Sequence, residues 1–183
     1  MKRSPLLLAL ALSALASPLF AAQTTVPPNA AAVKPPAGFR GEFFDNLDDV
    51  EEKIMALAEA TPPEKFTWRP AKDVRSISEV YMHIAGMNYV LLSFAGIEPP
   101  KTNGDMEKKV TTKPEVLAEL RKSFRHVRTH VEAMKNFENA AKVFGKPTTN
   151  RAVLVMVLSH LHEHLGQSIA YARMNGVVPP WSR

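Results

Sequence analysis

The chain has 183 residues, 45% of them hydrophobic and 22% charged, with a formal charge of +5 and no cysteine. That length suffices for one domain with a full core, and the missing cysteines exclude disulfides, thiolate ligands and a thiol nucleophile. The basic excess falls to +3 without Lys2 and Arg3, and no cationic cluster is interleaved with aromatics, so there is no nucleic-acid footprint.

Residues 1–22 read as a secretory signal peptide. Lys2-Arg3 is a basic n-region, Leu6 to Leu15 is a short apolar run, and Ala14 to Ala16 and Ala21-Ala22 supply small residues for cleavage near Gln23. Ser13, Ser17 and Pro18 interrupt the run, which argues against a retained anchor and against stable membrane insertion once it is removed. An exported protein, periplasmic or secreted, is expected. Residues 23–38 carry Pro27-Pro28 and Pro35-Pro36 among alanines and read as a flexible leader, with the folded domain over residues 39–183.

Within the domain the apolar residues recur at helical spacing. Phe43, Phe44, Leu47, Val50, Ile54, Leu57 and Ala58 predict a first helix from about Gly41 to Ala60, stopped by Thr61-Pro62-Pro63. Glu64 to Arg75 reads as a loop. Ser76-Ile77-Ser78-Glu79 has the form of a capping box, which opens a second helix lasting to about Ala95 with Gly96 as its stop. Its inward stripe is expected to be Val80, His83, Met87, Val90 and Phe94. After a connection over residues 97–112, Lys113-Pro114 starts a third helix expected to run to Phe144-Gly145. A short link then leads into a fourth, from Asn150 to about Asn175. Four long helices without a strand make an all-α four-helix bundle, with the third and fourth helices expected as an antiparallel pair.

The fourth helix carries Ser159-His160-Leu161-His162-Glu163-His164-Leu165-Gly166-Gln167. Side chains four apart on an α-helix lie about 40° from each other, so His160 and His164 share a face with Gln167 while His162 turns away. That face also holds Val153, Met156, Val157 and Tyr171 and should be buried. Each buried neutral imidazole has a donor and an acceptor to satisfy. A shared metal ion would do this, and so would hydrogen bonds to core side chains or water. His83, inward on the second helix, adds a third imidazole from another strut of the bundle, and three neutral histidines plus solvent make an open coordination sphere.

The other polar groups divide by position. His126 and His130 are also four apart, but they fall off the apolar stripe of their helix beside Arg125 and Arg128, and read as a solvated or boundary face. Gln167 is expected to support the site through a hydrogen bond. Glu79 belongs to the capping box and lies one turn before His83, where a bond to the imidazole would be an added role. Glu163, about 60° off the histidine stripe, is the candidate catalytic proton carrier, set against a plainly solvated position.

Three segments together resemble the DinB-like bundles, a large bacterial family. Phe66-Thr67-Trp68-Arg69-Pro70 leading to Ser76 through Ala85 is similar to that family's W-x-P loop and S-x-x-E-x-x-x-H-x-A helix start. His160 to Gln167 is similar to its H-x-x-x-H-x-G-Q, and Asn175 to Ser182 to its G-x-x-P-P tail. The resemblance implies an up-down-down-up bundle, often a homodimer, with His83, His160 and His164 as ligands to a divalent metal, zinc or nickel. It further implies a metal-dependent hydrolase or group transferase acting on a small molecule. The alternative is an envelope protein that binds metal or a small ligand without turnover.

Overall fold

The computed structural model describes residues 38–101 and 105–182. The signal peptide and all but the last residue of the leader lie outside the described residues. Five α-helices and one hairpin follow in order: α1 Gly38–Ala60, α2 Ile77–Ser93, the single turn α3 Met106–Lys109, α4 Lys113–Ala133, β1 Ala140–Val143 paired with β2 Lys146–Thr149, and α5 Asn150–Met174. Among the described residues no helix is long and apolar enough to cross a membrane.

The four long helices form the expected bundle. Around its axis they run in the order α1, α4, α2, α5, so that α2 packs on α4 and α5, and α1 on the same two. Directions follow from the ends. Arg40 in the first turn of α1 meets the last turn of α4, while Arg151 in the first turn of α5 lies over the ring of Phe39 in α1. Phe94, the residue that caps the end of α2, packs against the small cluster that includes Val153 near the start of α5. The helices therefore run up, down, down, up. One core fills the space between them, with Leu47, Ile54, Leu92, Leu120, Phe124, Leu154 and Leu161 all fully buried. A polar pair is set into it, Asn88 donating to Ser123 Oγ at 3.1 Å and so joining α2 to α4.

The α1–α4 contact is fastened at both ends. Arg40 donates through Nη1 to the carbonyls of Val131 (2.6 Å) and Glu132 (2.7 Å), and through Nη2 to that of Met134. Lys113, the first residue of α4, donates to the carbonyls of Glu59 (2.6 Å) and Thr61 (2.8 Å) at the end of α1. The closing carbonyls of a helix have no partner within it, and a cation there is favoured both by hydrogen bonding and by the helix dipole.

Several expectations need correcting. The third long helix, α4, stops at Ala133 rather than near Phe144, because Met134 turns extended (ψ 116°) where Arg40 takes up the final carbonyls. Phe137, beyond that end, packs against Phe39 with ring centres 5.2 Å apart. Residues 140–149 form an antiparallel hairpin, Val143 opposite Lys146, whose turn residues Phe144 (φ 48°) and Gly145 (φ 79°) are both left-handed, as a tight two-residue hairpin loop requires. That hairpin carries the chain across the end of the bundle, so α4 and α5 run in opposite directions but sit diagonally, not side by side. Finally, the buried face of α2 centres on Tyr81, Ile84, Ala85, Asn88 and Leu92; Val90 is 45% exposed and His83 lies at the margin.

Candidate metal centre

α2 begins with the capping box that its sequence predicts. Ser76 Oγ accepts from the Glu79 amide at 3.3 Å, and Glu79 Oε2 accepts from the Ser76 amide at 2.6 Å. The other oxygen of Glu79 accepts from Arg69 at 2.9 Å. Partial desolvation opposes ionisation of this carboxyl, but the Ser76 amide and Arg69 outweigh it and hold the pKa below the usual range. Glu79 is thus committed to the helix start, bonded to Ser76 and Arg69 and not to His83.

The carboxylate that does meet His83 is Glu107. His83 Nδ1 donates to Glu107 Oε1 at 2.9 Å, and Glu107 Oε2 accepts from Arg75 Nε at 2.8 Å. Holding the proton on Nδ1 leaves the lone pair of His83 on Nε2, pointing toward α5. There, on a helix capped by Thr149 Oγ1, His160 Nε2 lies 3.2 Å from His83 Nε2. His164 Nδ1 donates to Gln167 Oε1 at 2.8 Å, which frees its Nε2 as well. Gln167 in turn donates to Tyr171 Oη at 3.1 Å, and Tyr171 packs edge-on against Trp68. Each of the three rings is therefore oriented or crowded by a neighbour. Ring centres are 4.4 Å apart for His160 and His164, 4.7 Å for His83 and His164, and 5.1 Å for His83 and His160.

One ligating nitrogen from each of His83, His160 and His164 lies within 4.8 Å of the others, so the group could hold a metal ion. Two nitrogens each about 2.0–2.1 Å from one ion at a tetrahedral angle would lie about 3.3–3.4 Å apart, close to the observed His83–His160 spacing. Burial also favours the neutral, ligating form. It pushes His83 down from its ordinary pKa against the pull of Glu107, and pushes His160 down to about 4, with His164, His83 and Arg75 adding repulsion. His160 Nδ1 is buried with no hydrogen-bond partner. His164 is only 7% exposed.

The remaining histidines stand apart from this group. His162 is exposed and donates to the Leu158 carbonyl at 2.8 Å. His126 and His130 are half-buried on α4, their tilted rings 4.1 Å apart, where α4 faces Tyr89 of α2. Glu163 is exposed and is not among the groups whose ligand atoms converge. Sequence reasoning missed Glu107 and Arg75. A lone glutamate in the one-turn Met106-Glu107-Lys108-Lys109 has no periodicity to mark it, and only the folded loop shows which histidine it meets.

The same bundle occurs in solved structures. A DinB-like protein from Bacillus cereus ATCC 10987 superposes with a TM-score of 0.67 at 20% identity, covering 75% of this chain and 93% of that one. A DinB-like protein from Bacillus subtilis gives 0.60 at 15% identity, covering 75% and 94%, and a conserved protein from Enterococcus faecalis gives 0.59 at 15%, covering 72% and 94%. No protein of curated function matches the chain. The family model of the DinB superfamily matches residues 46–168, which take in α2, α4 and all three converging histidines. With two-thirds of its length matched by that model and its helices in the same arrangement, the chain belongs to the DinB superfamily.

Proposed function

We propose that the protein is an exported metal-dependent enzyme of the hydrolase or group-transferase type, with a divalent ion, zinc or nickel, held by His83, His160 and His164. The observation that carries this is the convergence of three imidazoles, two of them fixed by Glu107 and Gln167 in the tautomer that leaves Nε2 free. A three-histidine set leaves part of the coordination sphere open, which is the arrangement of a catalytic site and not of a closed structural one. The ion would supply a Lewis acid able to polarise a substrate oxygen or activate water. The chain supplies the rest: Glu107, steadied by Arg75, orients His83, while Gln167 and Tyr171 orient His164. Export rests on the basic start, short apolar run and small residues of positions 1–22.

The test is metal analysis of protein purified without a polyhistidine tag, beside His160→Ala. About one divalent ion per chain in the parent and little in the variant supports the site. Negligible metal and equal melting temperatures in both would sink it. Glu107→Gln keeps the shape but weakens the acceptor behind His83, and is expected to lower zinc affinity in equilibrium dialysis about 10–100-fold. An unchanged affinity would show that Glu107 does not tune His83 as a ligand. For export, N-terminal sequencing of protein recovered from its native envelope should begin near Gln23, and a start at Met1 would overturn it.

A further inference from the structure

Two clefts lie along the α2–α4 side of the bundle. The first, about 390 Å³, has a mainly apolar wall that includes Met82, Met87, Val90, Pro99 and Met106 and ends at His83 and Glu107. Gly86 leaves room in this wall, where an added Cβ would meet only the tip of Met106, at 3.5 Å. The second cleft, about 240 Å³, is basic: Lys122, Arg125, His126 and His130 contribute to it. The two meet at Tyr89 and Pro100, which line both.

Polar groups at the meeting point lack partners. Tyr89 is 2% exposed and its hydroxyl has no hydrogen bond, and His126 Nε2, on a ring 5.1 Å from that of Tyr89, is likewise buried and unbonded. An unmet buried donor is costly, and an acceptor supplied by a ligand would remove the cost. Burial and the nearby Glu119 push the Tyr89 phenol up to about 12, so at neutral pH it remains a donor. Lys122 is engaged by Glu119 at 3.6 Å, whereas Arg125 has no ion pair among the described residues. One uncommitted guanidinium matches a single negative charge better than the near-double charge of a phosphate monoester.

We propose that these clefts form one site for an amphipathic carboxylate, its apolar body lying over Met82, Met87, Val90 and Met106 and its carboxylate held by Arg125, His126 and Tyr89. The methionines suit such a body because their flexible thioethers adapt to its shape. The site goes beyond the metal centre and does not depend on it, although its apolar end reaches the far side of His83.

Octanoate and 1-octanol, matched in chain length, are the probes, titrated calorimetrically into the full chain at neutral pH. Octanoate should bind at least about ten-fold more tightly than octanol, and Arg125→Gln should remove that advantage while leaving octanol unchanged. Tyr89→Phe should also weaken octanoate, yet leave the melting temperature no lower, because the hydroxyl it deletes has no partner to lose. Octanoate binding should survive removal of metal with EDTA, which separates this site from the metal centre. Equal binding of the two probes, parent-like octanoate binding by Arg125→Gln, or no octanoate binding at millimolar concentration would each overturn the proposal. A lower melting temperature with unchanged binding in Tyr89→Phe would do the same.

Discussion

Zinc added at about a thousand times its dissociation constant should raise the stability of the folded protein by about 4 kcal/mol. In a domain of this size each kcal/mol corresponds to about 2–4 °C, so the melting temperature should rise by about 8–16 °C. The reason is linkage: the three nitrogens converge only when α2 and α5 are packed, so an ion held by them would bind the native state and have no matching site in the unfolded chain. His83→Ala should reduce the shift to a small fraction. Scanning calorimetry with and without zinc measures both, and a parent whose melting temperature ignores zinc would contradict the site. Acid should act in the opposite direction to zinc. Burial holds His160 (about 4), His83 and, on α4, His126 below their ordinary values, so these groups are neutral in the folded protein when the unfolded chain has begun to bind protons. Since the folded pKa lies below the unfolded one, their contribution is complete above about pH 6.5 and declines as pH falls toward 4. The metal-free protein should therefore lose stability across that window, with a zinc shift that shrinks as the ligands become protonated.

Phe124→Ala should cost about 3–5 kcal/mol, the largest loss expected from a single side chain in α4. The buried face of that helix consists of Val116, Leu120, Ser123, Phe124, Val127 and Val131, and Phe124 is its only aromatic member. Its ring is fully buried in the common core with residues of α1, α2 and α5, so truncation leaves a cavity that helices on three sides would have to move to close. A urea titration reads the effect as a lower midpoint at unchanged slope. Val155→Ala, on the half-exposed outer side of α5, is the matched control and should change stability by less than about 0.5 kcal/mol. Equal effects of the two substitutions would mean that Phe124 is not a core anchor.

The parts of this molecule that were legible in its sequence are those decided by local chemistry. The capping box at Ser76 and Glu79 works within a single turn, and its geometry is as read. His160 and His164 are neighbours because helix geometry makes them so. That His83 would face them followed from its place among apolar residues, although the true centre of the buried face of α2 lies toward Tyr81, Ile84 and Asn88. What escaped was set by distant partners. Residues 134–144 have enough apolar spacing to continue a helix, and it is Arg40, more than ninety positions earlier, that takes the carbonyls and ends it. The strands that follow are four residues each, one containing Pro147, too short and too irregular for an alternating pattern to stand out. Phe144-Gly145 looked like a helix stop because a glycine in the left-handed region serves both purposes. Glu107 needed its loop to be folded before its partner could be known.

The fastenings between α1 and α4 bear on how the protein comes apart. Helix ends normally fray independently, each losing a turn without disturbing the rest of the fold. Here the last turn of α4 cannot unwind without releasing the first turn of α1, and the end of α1 is tied in the same way to the start of α4. Small excursions at either end are thereby coupled into loss of the whole helix pair. This cooperativity keeps one side of the bundle stiff while the opposite pair, α2 and α5, carries the polar cluster.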